Sequence, residues 1–115
     1  MARLAGADIL RTVYDRTDGA DGYVSIEVAP DLAYDAQGTI DSARHLWKKV
    51  ARPNVMIKVP GTPAGITAIK ALTAKGVSIN VTLIFDLACY EAVEGAYLRG
   101  LEQFVAGGGD PSSVA

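Results

Sequence analysis

The sequence predicts an α/β fold built as a consecutive slice of an α/β barrel, about three βα units with parallel strands. Three observations predict it. Three short apolar runs rich in β-branched residues lie near residues 23–28, 54–60 and 77–85, and each is followed by a stretch with helical periodicity. Alternation within the runs places polar residues on one face and apolar residues on the other. Strands separated by helices at this spacing form parallel βαβ units with right-handed crossovers, and three such strands by themselves leave two unpaired edges and one uncovered face.

Taken in order, residues from about Ala7 to Thr17 set Ile9, Leu10, Val13 and Tyr14 at helical spacing, with Asp8 near the start to complement the helix dipole. The run 18–22, Asp-Gly-Ala-Asp-Gly, turns the chain. In the first strand Val24, Ile26 and Val28 share one face, and Ser25 and Glu27 the other. A polar loop from Asp31 to Gly38 precedes a helix that Thr39 is expected to cap, with Ile40, Ala43, Leu46, Trp47 and Val50 inward and Arg52-Pro53 at its end. Thr62-Pro63 opens the next helix, which buries Ile66, Ile69 and Leu72 and stops near Lys75-Gly76. The third strand has Ser78, Asn80 and Thr82 on one face and Val77, Ile79, Val81 and Leu83 on the other. A long helix from Asp86 to about Ala106 is expected to bury Leu87, Tyr90, Val93, Tyr97, Leu98, Leu101, Phe104 and Val105, and three glycines at 107–109 break it. Asp110-Pro111-Ser112-Ser113 has the form of a further helix start.

At 115 residues the chain is one domain at most, and half of it is apolar, which excludes a disordered polymer. A net charge of −2 offers no footprint for nucleic acid. The single cysteine, Cys89, excludes an internal disulfide framework, and no cysteine and histidine cluster is spaced to hold zinc. No apolar leader opens the chain and no run approaches the roughly 18 apolar residues of a membrane span, so the expected setting is cytoplasmic, without a membrane or nucleic-acid partner.

Lys58 is the residue around which a function can be argued. It stands in the apolar run Val-Met-Ile-Lys-Val-Pro, near the C-terminal end of a strand, where barrel enzymes place their chemistry. A lysine there is a strand-end ion pair with Glu27, or an amine held to attack a carbonyl. Carbonyl chemistry through an imine also needs an acid or base and groups that fix water and substrate, which Glu27, Asn80 and Thr82 can supply from neighbouring strands. By default Asn80 and Thr82 satisfy backbone groups or fill a barrel layer. His45 reads as a surface or half-buried helix residue, and Cys89 as a buried inert thiol. Residues 61–65 lack the Gly-Lys-Ser/Thr ending of a nucleotide loop.

The blocks Val-Ser-Ile-Glu-Val at 24–28, Asn-Val-Met-Ile-Lys-Val-Pro-Gly-Thr at 54–62 and Asn-Val-Thr-Leu-Ile-Phe at 80–85 resemble three successive strand motifs of transaldolase, in the same order and at similar separation. Leu46-Trp47, Arg52-Pro53-Asn54 and the tail at 108–112 resemble its larger bacterial form. The resemblance covers nearly the whole chain. It implies a (β/α)8 TIM barrel of which these residues form the middle, and a class I, metal-free aldol chemistry with no cofactor. By resemblance Lys58 forms a Schiff base with a ketose phosphate and carries a dihydroxyacetone unit to an aldose phosphate, as in the pentose phosphate pathway. Glu27 acts through a water as acid and base, Thr82 positions that water, Asn80 hydrogen-bonds the substrate, and Ser25 is a weaker substrate-binding candidate. The family's upstream aspartate and asparagine, and the serine and arginine that clamp the phosphate, have no counterpart in these residues. The alternative expectation is a non-catalytic α/β fragment that pairs its open strand edges with itself or with another chain.

Overall fold

The computed structural model describes residues 2–115, with side chains described from residue 5 onward except at position 30. Helix α1 (Ala2–Arg16) leads into β1 (Val24–Glu27), α2 (Ala36–Val50), β2 (Val55–Pro60), α3 (Pro63–Thr73), β3 (Ile79–Thr82) and α4 (Leu87–Ala106), with short 3-10 turns at Pro30–Leu32 and Pro111–Ser113. The three strands form one parallel sheet in the order β1-β2-β3, with Glu27 opposite Lys58 and Lys58 opposite Asn80. Strand order therefore follows chain order.

One face of that sheet builds the core. Val55, Ile57 and Val59 of the central strand are fully buried, flanked by Ile26 of β1, by Val28 just beyond it and by Ile79 of β3. Ala43 and Val50 of α2 and Ala68, Ile69 and Leu72 of α3 pack onto them. The alternate residues Met56, Lys58 and Pro60 are only half-buried on the opposite face. A sheet wound in one direction, apolar toward its helices and polar on the other side, is the local geometry of a barrel wall; a doubly wound sheet reverses its strand order. The α/β class and the three successive units expected from the sequence are thus observed, in a form consistent with part of a (β/α)8 barrel.

Several element boundaries differ from expectation for identifiable reasons. Helix α1 already includes Ala2, so Asp8 lies well inside it, and its carboxylate takes two hydrogen bonds from Arg52 at 2.7 and 3.1 Å. This guanidinium holds the Asp8 carboxyl below its ordinary range, and Asp8 in turn raises Arg52. Ile9 on this helix is largely exposed, and Ala7 is fully buried. Asp35, not Thr39, caps α2: its carboxylate accepts the Gly38 N–H at 2.9 Å. Thr39 falls inside the helix, buried, where its hydroxyl donates to the Leu32 carbonyl at 2.8 Å. The segment expected as a polar loop is instead the 3-10 turn and the start of α2.

The entry to α3 follows expectation, with Thr62 Oγ1 accepting the Gly65 N–H at 3.0 Å and proline in the first turn. Helix α4 packs differently from its apolar pattern. Gly100 lies so close to α3 that a Cβ there would meet the Lys70 carbonyl oxygen at 2.7 Å, and the buried seam is Val93, Ala96 and Gly100. Small residues allow this approach, and it turns Leu87, Tyr90, Leu98 and Val105, all expected inside, toward solvent. The 3-10 turn at Pro111–Ser113, capped by Asp110, occupies the place of the expected helix start.

Candidate active site at the strand ends

Strand register determines which side chains meet. Glu27, Lys58 and Asn80 form one row across the three strands, and Thr82 stands opposite Pro60, two residues nearer the C-terminal end. Lys58 Nζ lies 3.3 Å from Glu27 Oε1. A cavity of about 300 Å³ opens there, lined by Glu27, Lys58, Pro60 and Thr82 from the strands and by Val28, Ala29, Ala33 and Leu83 from the segments that follow them. The three expected chemical residues, Lys58, Glu27 and Thr82, thus share one cavity at the C-terminal end of the sheet.

Ser25 and Asn80 lie outside that lining, and they bond to each other. Asn80 Nδ2 donates to Ser25 Oγ at 3.0 Å, although the two residues belong to the outer strands on either side of β2. The Lys58 side chain is about one-third exposed and Glu27 about 60% exposed. An ion pair so open to water contributes on the order of 0–1 kcal/mol, too little for stability to explain a lysine on the central strand.

Tertiary contacts add residues that the sequence did not single out. Leu83 was expected on the helix-facing side, but its φ of 62° ends β3 at Thr82 and brings it to the cavity wall. No periodicity signals such a turn. Ala29 and Ala33 line the cavity because Thr62 holds their loop, its hydroxyl donating to the Ala33 carbonyl at 2.5 Å. The Cys89 thiol is only half-buried and donates to the Gly61 carbonyl at 3.3 Å, so the expectation of a buried thiol is corrected. His45 is exposed on α2, apart from the cavity lining. No described helix is long and apolar enough to cross a membrane.

The family profile described as transaldolase/fructose-6-phosphate aldolase matches residues 1–109. The chain belongs to the transaldolase/fructose-6-phosphate aldolase family. It is 53% identical over 103 residues to a transaldolase of Thiobacillus denitrificans, which covers 90% of this chain and 29% of the relative. A transaldolase of Thermobifida fusca is 55% identical over 108 residues, covering 94% of this chain and 29% of the relative. Transaldolase 2 of a Nostoc species is 49% identical over 108 residues, covering 94% and 28%. The chain therefore spans under a third of the length of these family members. The family resemblance read from the three strand motifs is borne out.

Proposed function

We propose that these residues carry the Schiff-base portion of a transaldolase site, with Lys58 as the covalent carrier and a ketose phosphate of the pentose phosphate type as donor. The observation that carries the proposal is the pairing of Lys58 with Glu27, with Thr82 in the same cavity, at the C-terminal ends of three parallel strands. Transfer of one proton from the ammonium toward Glu27 leaves an amine with a free electron pair. That pair forms a C–N bond to the ketone carbon, the carbonyl oxygen takes up two protons and leaves as water, and an iminium remains. The bond between the carbons α and β to the iminium then breaks and its electrons enter the iminium, while the β-hydroxyl gives its proton to a base supplied by strands beyond these three and departs as an aldehyde, leaving an enamine on Lys58. The enamine attacks the aldehyde of an acceptor aldose phosphate, whose oxygen takes that proton back, and water hydrolyses the new iminium to return the amine. Glu27, acting through a water held by Thr82, moves the protons of the dehydration.

The rest of such a site is proposed to come from strands beyond these three. The open sheet edges and the 29% coverage of the relatives support this. The test is borohydride reduction of the chain with fructose 6-phosphate, read by intact mass and peptide mapping. A reduced adduct on Lys58 that disappears in Lys58→Met is the expected result, and an adduct that persists in Lys58→Met overturns the assignment.

A second reading has its own observation. The outer edges of β1 and β3 are unpaired in the sheet, and Leu83, Phe85, Leu87 and Tyr90 are exposed beside β3. Self-association through these edges would give a non-catalytic assembly. Sedimentation of the folded chain as a monomer refutes it.

A further inference from the structure

The bond between Asn80 and Ser25 is the feature of the polar face that the proposed chemistry leaves unused. Neighbouring strands lie about 4.8 Å apart, so two residues on strands either side of β2 are separated by roughly twice that distance. Ser25 is in register with Met56, and Asn80 with Lys58. The 3.0 Å contact therefore crosses the central strand between the side chains of Met56 and Lys58.

An asparagine amide has a donor end and an acceptor end on opposite sides of its carbon, and either end can bond a serine hydroxyl. The neighbouring position in the register row is a cation, Lys58, which repels the amide hydrogens and attracts the carbonyl oxygen. Giving Nδ2 to Ser25 leaves Asn80 Oδ1 without a hydrogen-bond partner among the described residues, on the side of the amide away from Ser25. A free carbonyl acceptor beside an imine-forming lysine fits a hydroxyl on the carbon next to the reacting carbonyl.

We infer that Ser25 is a positioning residue that acts through Asn80: it holds the amide donor end across β2 so that Asn80 Oδ1 is presented to the α-hydroxyl of a ketone bound at Lys58. The inference rests on the Schiff-base reading above. It differs from a direct substrate contact by Ser25, because the effect of Ser25 must vanish when Asn80 is absent.

Two measurements test it. In the first, borohydride trapping rates are compared for dihydroxyacetone, which has α-hydroxyls, and acetone, which has none. Ser25→Ala lowers the dihydroxyacetone-to-acetone ratio about three- to tenfold, the worth of one oriented hydrogen bond. Ser25→Thr, which keeps the hydroxyl, restores most of that ratio. In an Asn80→Ala background, Ser25→Ala produces no further change. Additive losses, or a ratio that does not move, overturn the inference. The second measurement needs no chemistry: the Asn80 side-chain amide protons shift and exchange faster with solvent in Ser25→Ala than in the unsubstituted chain. Unchanged amide resonances overturn the latch. If neither ketone is trapped by the unsubstituted chain, the Schiff-base reading fails, and the amide resonances still decide whether Ser25 holds Asn80.

Discussion

Gly65 gives the sharpest link between packing and Lys58, the proposed covalent carrier. It sits in the first turn of α3, where a Cβ would lie 1.8 Å from the Pro60 carbonyl oxygen and 3.1 Å from Thr62 Oγ1. Contacts under 3.0 Å to a Cβ do not occur, so Gly65→Ala must separate the helix start from the end of β2 by more than 1 Å. Backbone is on the other side of the clash, and a rotamer change cannot relieve it. Overpacking of this kind costs about 1–3 kcal/mol, and weakening the Thr62 cap adds about 1 kcal/mol. The expected loss is about 2–4 kcal/mol in urea unfolding. Pro60 is two residues from Lys58 on the same strand face, and a displacement of about 1 Å in a reacting group can lower rates on the order of 100-fold. Borohydride trapping at Lys58 should therefore fall at least tenfold in the variant that remains folded. Gly107→Ala is the control: its Cβ would find nothing nearer than 3.6 Å, and its φ of −83° suits alanine. The reasoning is refuted if Gly65→Ala unfolds within about 0.5 kcal/mol of the unsubstituted chain, the range of ordinary surface changes.

Two further outcomes follow from buried or charged groups away from the cavity. Asn54 is fully buried and donates to the carbonyls of Ala7 and Gly22 at 2.7 and 3.0 Å, while its own Oδ1 has no partner among the described residues. Asn54→Ala should cost about 2 kcal/mol by urea unfolding, and Asn54→Asp, which sets a carboxylate against two carbonyls, about 3–5 kcal/mol; equal costs would show that the donors are not what matters. The Asp8 carboxyl is held low by Arg52, so its contribution is complete above the unfolded value of about 3.9 and is lost as pH falls through the lower folded value. Thermal midpoints of the unsubstituted chain and Asp8→Asn should accordingly converge between about pH 5 and pH 2, and a constant difference across that range would contradict the pairing.

The strand and helix order was legible because its signals are local. Period-two alternation in residues 24–28 and 77–85, the β-branched run around Lys58, and the Thr62-Pro63 helix entry each depend on a few adjacent residues, and each appears, although the third strand is shorter than expected, Ile79–Thr82. The cap of α2 was not legible in the same way: Thr39 was expected, but the chain turned at Pro30–Leu32 and used Asp35. Burial on α4 was not legible. Its apolar residues could occupy more than one stripe, and the choice fell to the close approach of Gly100 to α3, a contact between residues distant in the chain.

The same division holds for the site. Sequence alone determined that Ser25, Glu27, Lys58, Asn80 and Thr82 lie on the polar faces of successive strands, because side chains alternate along a strand whatever it pairs with. Only the tertiary structure decided their register, and with it that Lys58 faces Glu27 at 3.3 Å while Asn80 reaches across β2 to Ser25. Register depends on how the helices seat each strand against its neighbour, and Leu83 joins the cavity through a left-handed backbone turn that no local pattern announces.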